Sequence, residues 1–204
     1  MRKTAWIVAI VCLLSAVNVS AYDAVGTVFG TLTTAQSLGQ GKANIGAGVG
    51  IADATSVFGQ LTYGLSKYTD GRIKLGLVDE FDTELAIGAD FKWQFLSATP
   101  DNRRPMDMAL GGFFEFTEFG GLTLFQIGGQ FFGSRSFRMS NGSALTPYGR
   151  FNVRLESIED ADTKIRFGLN GGCAWSVSST INLYGEFQLD GNDGVFFGID
   201  FNMM

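Results

Sequence analysis

Thr83-Glu84-Leu85-Ala86-Ile87-Gly88-Ala89-Asp90-Phe91-Lys92-Trp93-Gln94-Phe95 alternates almost without a break. Leu85, Ile87, Ala89, Phe91, Trp93 and Phe95 are apolar, whereas Glu84, Ala86, Gly88, Asp90, Lys92 and Gln94 are polar or small. Successive side chains of a strand point to opposite faces, so a period of two predicts a β-strand with one apolar and one charged face. Thirteen residues of such alternation exceed the roughly 5–6 residues commonest for strands of soluble proteins.

The same pattern recurs to the end of the chain. Further strands are predicted at about 43–52, 56–65, 72–78, 107–117, 123–133, 145–155, 164–175, 181–189 and 195–203. Ten strands, most of about ten residues, match the ~9–11 residues that a tilted strand needs to cross a bilayer. A sheet in lipid must close on itself, because an open edge would leave backbone groups unpaired in hydrocarbon. The predicted fold is therefore all-β, a closed antiparallel up-and-down transmembrane β-barrel of about 10 strands over residues 42–204. Turn chemistry supports hairpins throughout, most clearly in Asp190-Gly191-Asn192-Asp193-Gly194.

Composition agrees. The 204 residues include Gly 28, Phe 19 and only Pro 3, with charged residues at 17% and a net charge of −5. That is neither a disordered composition nor a nucleic-acid-binding one. Residues 1–21 read as an export signal. Arg2 and Lys3 precede an apolar run from Trp6 to Leu14, and Val19-Ser20-Ala21 is a small-residue cleavage site. Cys12 lies inside that run, which leaves Cys173 as the only cysteine of the mature chain and excludes an internal disulfide. Residues 22–41, rich in Gly, Thr, Ser and Gln, read as an irregular lead-in that could add a short strand or fill an interior.

The aromatic residues Tyr63, Trp93, Phe95, Phe131, Trp175 and Phe201 all fall near the ends of even-numbered strands. Rings favour the boundary between lipid and water, so these predict a girdle at one membrane surface, the periplasmic one. The opposite connections hold Asp53, Asp79, Glu80, Asp82, Glu118, Glu156, Glu159, Asp160, Asp162, Asp190 and Asp193, an acidic outer rim. Solvated turns explain these charges; as oxygen ligands they could also hold divalent cations. Against this orientation, the longer loops 97–106 and 134–144 fall on the girdle side, whereas outer loops are usually the longer ones.

The closing segment Gly198-Ile199-Asp200-Phe201-Asn202-Met203 resembles the C-terminal signal of bacterial outer-membrane β-barrel proteins. Tyr63-Gly64-Leu65-Ser66 looks like the strand end before a periplasmic turn in that class. The chain departs from the signal in ending Met203-Met204 and in carrying Phe196 where a polar residue is usual. The resemblance implies outer-membrane lipid as surroundings and the barrel-assembly machinery as a partner in biogenesis.

The chain has no histidine, which removes Ser-His-Asp catalysis and histidine metal sites together. No enzyme, cofactor or metal centre is expected. The inward set instead predicts a charge network of Arg72, Lys74, Glu84, Asp90, Lys92, Glu115, Arg150, Arg154, Arg166, Glu186 and Asp200. One reading pairs these charges with one another to fill the interior, since unpaired buried charge is costly. The other lines a narrow passage for a small solute with Arg150, Arg154 and Arg166 opposite Glu186. The Gly46-Ala47-Gly48-Val49-Gly50 run reads as relief of crowding where a strand curves. The alternative to a membrane barrel is an exported soluble barrel binding a small apolar ligand, with its apolar face turned inward.

Overall fold

The computed structural model describes residues 26–79, 82–99, 103–119, 122–159 and 163–203. The export signal at 1–21 and the acidic-turn residues Glu80, Asp160 and Asp162 lie outside them. Among the described residues eleven strands form in chain order: β1 (Ala43–Ala52), β2 (Thr55–Ser66), β3 (Thr69–Asp79), β4 (Thr83–Leu96), β5 (Asp107–Phe119), β6 (Leu122–Ser134), β7 (Phe137–Arg138), β8 (Ala144–Ile158), β9 (Lys164–Ser176), β10 (Ile181–Leu189) and β11 (Gly194–Met203).

Ten of them make an antiparallel barrel in which each strand pairs with its neighbours in sequence. Closure comes from β1 against β11, in register from Ala43↔Met203 to Ala52↔Gly194. The two-residue β7 is the addition to the predicted set. It pairs with Leu145 and Ala144 of β8, so the 134–144 loop is partly a hairpin extending one rim. Register shifts occur at Gly64/Ser66 and at Gln94/Leu96, both close to that same rim. Bulges at barrel rims end regular pairing and bend the strand.

The alternation resolves into an inverted protein. Ile73 is 60% exposed, Ile165 64% and Phe187 69%, while Arg154 is 1% and Lys74 5% exposed. Soluble proteins rarely expose contiguous apolar surface on this scale. The apolar set faces outward on every long strand, which is the reverse of what the soluble ligand-binding alternative requires. Cys173 lies on this outer face, partly exposed and free.

The apolar residues that are buried sit inside the barrel. One cluster joins Val28, Phe29 and Leu32 to Phe58, Val78, Ala86 and Phe196; a smaller one joins Ala35, Ala109 and Phe132. The Phe29 and Phe58 rings meet at 5.0 Å, tilted by 59°. Both clusters combine wall residues with residues that precede β1. Residues 26–38 of the lead-in are therefore an interior element, without strand structure, whose side chains complete the core. Phe196, the departure from the assembly signal, has its explanation here: it is fully buried against Gly30 and Gly50.

Candidate functional site: the barrel interior

Residues 26–38 run through the barrel from one rim to the other. At the acidic rim the Thr27 hydroxyl donates to Asp190 at 2.6 Å, and Gln188 Nε2 and Asn192 Nδ2 donate to the Thr27 carbonyl at 2.6 and 3.2 Å. At the far rim the Leu38 N–H reaches Asp70 at 3.0 Å. Gly39 and Gly41, at φ +90° and +75°, then turn the chain into β1, and the Gly41 N–H donates to the Gly64 carbonyl. Glycine occupies these left-handed positions without the steric cost of a Cβ.

An irregular chain buried in a barrel has no ladder partner, so each of its polar groups needs another. The charged wall supplies them. Val28 N–H donates to Glu115 at 2.9 Å. Thr31 and Leu32 N–H donate to the two oxygens of Glu186 at 2.7 and 3.0 Å. Lys74 Nζ donates to the Gly30 carbonyl at 2.9 Å, and Arg72 to the Thr31 carbonyl at 2.6 Å. Lys92 Nζ takes the carbonyls of Thr34 and Gln36, each at 2.8 Å. The Ala35 N–H finds Ser134 Oγ.

The Glu186 contact has a backbone cause. Leu32 has φ +40°, the one positive value among the described non-glycine residues. A left-handed residue turns successive N–H groups toward one point and makes a small anion-binding concavity. For an L-residue that conformation costs roughly 1–2 kcal/mol. Two charge-assisted hydrogen bonds and a fully buried leucine side chain offset it.

That side chain fits a notch. Gly48 of β1 lies opposite Gly198 of β11, and a Cβ at either would come within 2.8 and 2.6 Å of Leu32 Cδ1. A Cβ at Gly46 would overlap the Asp200 carboxylate, and one at Gly50 the Phe196 ring. Inward positions 46, 48 and 50 of β1 thus lack a Cβ because wall side chains and Leu32 fill the space beside them, so the crowding this run relieves comes from the contents of the lumen.

The predicted charge network separates into wall pairs and segment-holding groups. Arg72 meets Asp90 at 2.7 Å, with Lys74 3.7 Å from the same carboxylate. Arg154 bridges Glu156 at 3.1 Å and Asp190 at 3.7 Å, and Arg166 lies 3.6 Å from Glu156. Arg150 donates to Gln130 at 2.8 Å and lies over the Phe113 ring. Asp200 accepts from Gln60 at 2.7 Å and from Asn44 at 3.3 Å. Glu84 is half-buried near the acidic rim. Glu186 also receives the Tyr148 hydroxyl and Asn170, so it does not stand free across a passage from the three arginines.

Two residues assigned to the solvated acidic rim belong to the interior instead. Glu156 is 2% exposed on β8, and Asp190 is 5% exposed because its turn folds over the lumen. Burial pushes the Asp190 carboxyl above the ordinary carboxylate range, against the pull of Arg154 and Thr27. Asn192 of the same turn is fully buried and accepts the Ala54 N–H. Among the described residues no three carboxylate or thiol groups gather as a cation site.

At the other end the packing is looser. A polar cavity of about 190 Å³ lies between the segment and the wall, lined among others by Asn44, Thr62, Ser176, Asn182, Tyr184 and Asn202. Asn44 Oδ1, buried without a protein partner, lies on it.

Outside, Tyr63, Trp93, Phe95, Phe131, Trp175 and Phe201 are all exposed and follow the rim to which the segment descends. Trp93 and Phe95 lie 6.0 Å apart, Phe95 and Phe131 6.4 Å. β1 starts and β11 ends at this rim, as an even strand number requires. Residue 26 nevertheless lies at the acidic rim, because the segment makes an additional crossing before β1. An argument from strand number alone misses that crossing.

The signals for the segment's place were present but indirect. Glycine holds inward positions 46, 48 and 50, Phe58 and Phe196 fall on the polar face, and residues 26–41 carry no charge.

No protein-family profile matches the chain, and no curated protein is similar to it in sequence. Solved structures are similar in outline. The N-terminal β-barrel domain of Pseudomonas aeruginosa OprF has 12% identity and a TM-score of 0.40, covering 81% of this chain and 99% of that one. The β-domain of the Bordetella autotransporter BrkA has 12% identity and a TM-score of 0.45, covering 79% and 98%. A de novo designed transmembrane β-barrel has 16% identity and a TM-score of 0.39, covering 82% and 100%. At these identities the likeness extends no further than the barrel arrangement.

Proposed function

We propose that the protein is an integral outer-membrane β-barrel of bacteria, closed at rest by its own residues 26–38, with a structural or small-solute-passage role and no chemistry of its own. One observation carries the membrane reading: the apolar side chains face outward all round a closed sheet while Arg, Lys, Asp and Glu face the axis. Water outside would leave that band unsatisfied, whereas hydrocarbon matches it, and closure spares the backbone any unpaired edge. The aromatic girdle then marks the periplasmic boundary and the acidic rim faces outward. Export by the leader at 1–21 and insertion by the barrel-assembly machinery, which the C-terminal segment's resemblance implies, bring it there.

The closed state follows from the segment's burial and its hydrogen bonds to six strands of the wall. Carbonate extraction of cell envelopes tests the membrane reading; release into the soluble fraction overturns it. Planar-bilayer recording tests the closed state, for which the unmodified chain gives no sustained conductance steps.

A further inference from the structure

We infer that residues 26–38 are a displaceable gate and that the passage they close is selective for small cations. This rests on the membrane-barrel reading above and adds to it the class of solute.

The segment measures the lumen it fills. Beside the wall's own side chains there is room for a polypeptide main chain together with Phe29 and Leu32, both fully buried. An extended chain with its side chains occupies roughly 5 by 10 Å in cross-section. Without it the lumen is a water path wide enough for a hydrated monovalent ion. Two features make the segment separable from the barrel. It contributes no strand to the sheet, so its departure breaks no ladder. The polar cavity beside its lower half already separates it from the β1, β2 and β9–β11 wall.

The sign of the passage comes from the balance of fixed charge around the segment. Six cations face the interior: Arg72, Lys74, Lys92, Arg150, Arg154 and Arg166. Arg72 and Lys74 keep Asp90, Lys92 keeps Asp70 at 3.3 Å, and Arg154 and Arg166 keep Glu156 whether the segment is present or not. Among the described residues, three further carboxylates have no such ion pair and take hydrogen bonds from the segment. Glu115 and Glu186 are met by N–H groups of Val28, Thr31 and Leu32, and Asp107 by the Gln36 amide at 2.9 Å. Those donors belong to a stretch with no charge of its own. When it leaves, Arg72, Lys74, Lys92 and Arg150 lose the segment oxygens they hold and these carboxylates lose its donors, but among the described residues eight interior carboxylates (Asp70, Asp90, Asp107, Glu115, Glu156, Glu186, Asp190 and Asp200) stand against the six cations, so the water path is net negative. A low-dielectric wall focuses such a fixed charge onto the axis, raising the local concentration of counter-ions. The solute class is therefore a small cation.

Leu32→Pro tests the gate in the full chain. Proline cannot adopt φ +40° and has no N–H for Glu186. Purified parent and variant, each shown to be folded by heat-modifiable gel mobility, are compared in planar bilayers under a tenfold KCl gradient. The parent is expected to be silent. The variant is expected to give steps with a reversal potential of the sign for K⁺ over Cl⁻. Glu186→Gln, a wall change that leaves the segment intact, provides a second opening variant, with weaker cation preference than Leu32→Pro. A folded, membrane-retained pair of variants as silent as the parent overturns the gate. Steps with no preference, or with preference for Cl⁻, overturn the solute class. Release of the parent by carbonate would instead defeat the barrel reading itself.

Discussion

Leu32→Ala separates the energetics of the internal segment from those of the barrel. The substitution removes three carbons from a fully buried site. At ~0.8 kcal/mol per buried CH₂ the transfer loss is about 2.4 kcal/mol. The notch between Gly48 and Gly198 belongs to two hydrogen-bonded strands and cannot collapse around alanine, so the cavity persists. Comparable Leu→Ala changes cost ~2–5 kcal/mol, and about 3 kcal/mol is the expectation here. Alanine and leucine bear a similar backbone penalty at φ +40°, so that contribution cancels. Every 1.4 kcal/mol is tenfold, and the undocked population therefore rises by roughly two orders of magnitude. Amide hydrogen exchange in detergent micelles reads it directly. The N–H groups of Val28, Thr31, Leu32 and Ala35 all donate to wall side chains and lose about a hundredfold in protection. Ladder amides of β1 and β11 stay as protected as in the parent, because undocking leaves their pairing intact. Unchanged protection at Thr31 and Leu32 would refute the packing argument. Equal loss in segment and strands would show that the two open only together.

Other perturbations address the wall and the surface. Leu75→Arg places a charge midway along β3 on the outer face, where Leu75 is 54% exposed. At the bilayer midplane that costs ~2–4 kcal/mol, measured by chemical unfolding in vesicles; a negligible change would argue against lipid contact. Arg154→Met leaves Glu156 and Asp190 buried with a partner removed, a change worth ~3–5 kcal/mol when nothing compensates. Arg166 remains 3.6 Å from Glu156, so a loss near the lower end is expected in denaturant titrations. Asp190→Asn tests a pH effect. Burial raises the folded-state value of Asp190 above its ordinary 3.8, so its contribution is fully present below that pH and is lost as pH rises through the folded value. The parent-minus-variant stability difference should fall across that window, and a flat difference would contradict the assignment.

Strand by strand, the pattern was legible because lipid and lumen impose the strongest contrast a sheet can carry. The predicted 43–52 and 181–189 coincide with β1 and β10, and elsewhere the ends differ by a few residues. Extensions such as Asp70 and Glu156 were missed because they fall where turn-like composition begins. Asp70 lies opposite Lys92 in the β3–β4 ladder and Glu156 opposite Lys164 in the β8–β9 ladder. Asp190 and Asn192 read as ordinary turn residues. That their turn bends over the barrel mouth depends on Thr27, which lies 163 residues from Asp190 along the chain.

Period-two alternation and the ten barrel strands were determined by the sequence alone, because each is a local property: a side chain's face follows from its parity along one strand. The path of residues 26–38 was decided only by the tertiary structure. An uncharged Gly- and Thr-rich stretch has no preference of its own. It becomes ordered because a closed wall presents Glu115, Glu186, Lys74 and Lys92 to its backbone and a glycine notch to Leu32, and that arrangement exists only once β1 has met β11.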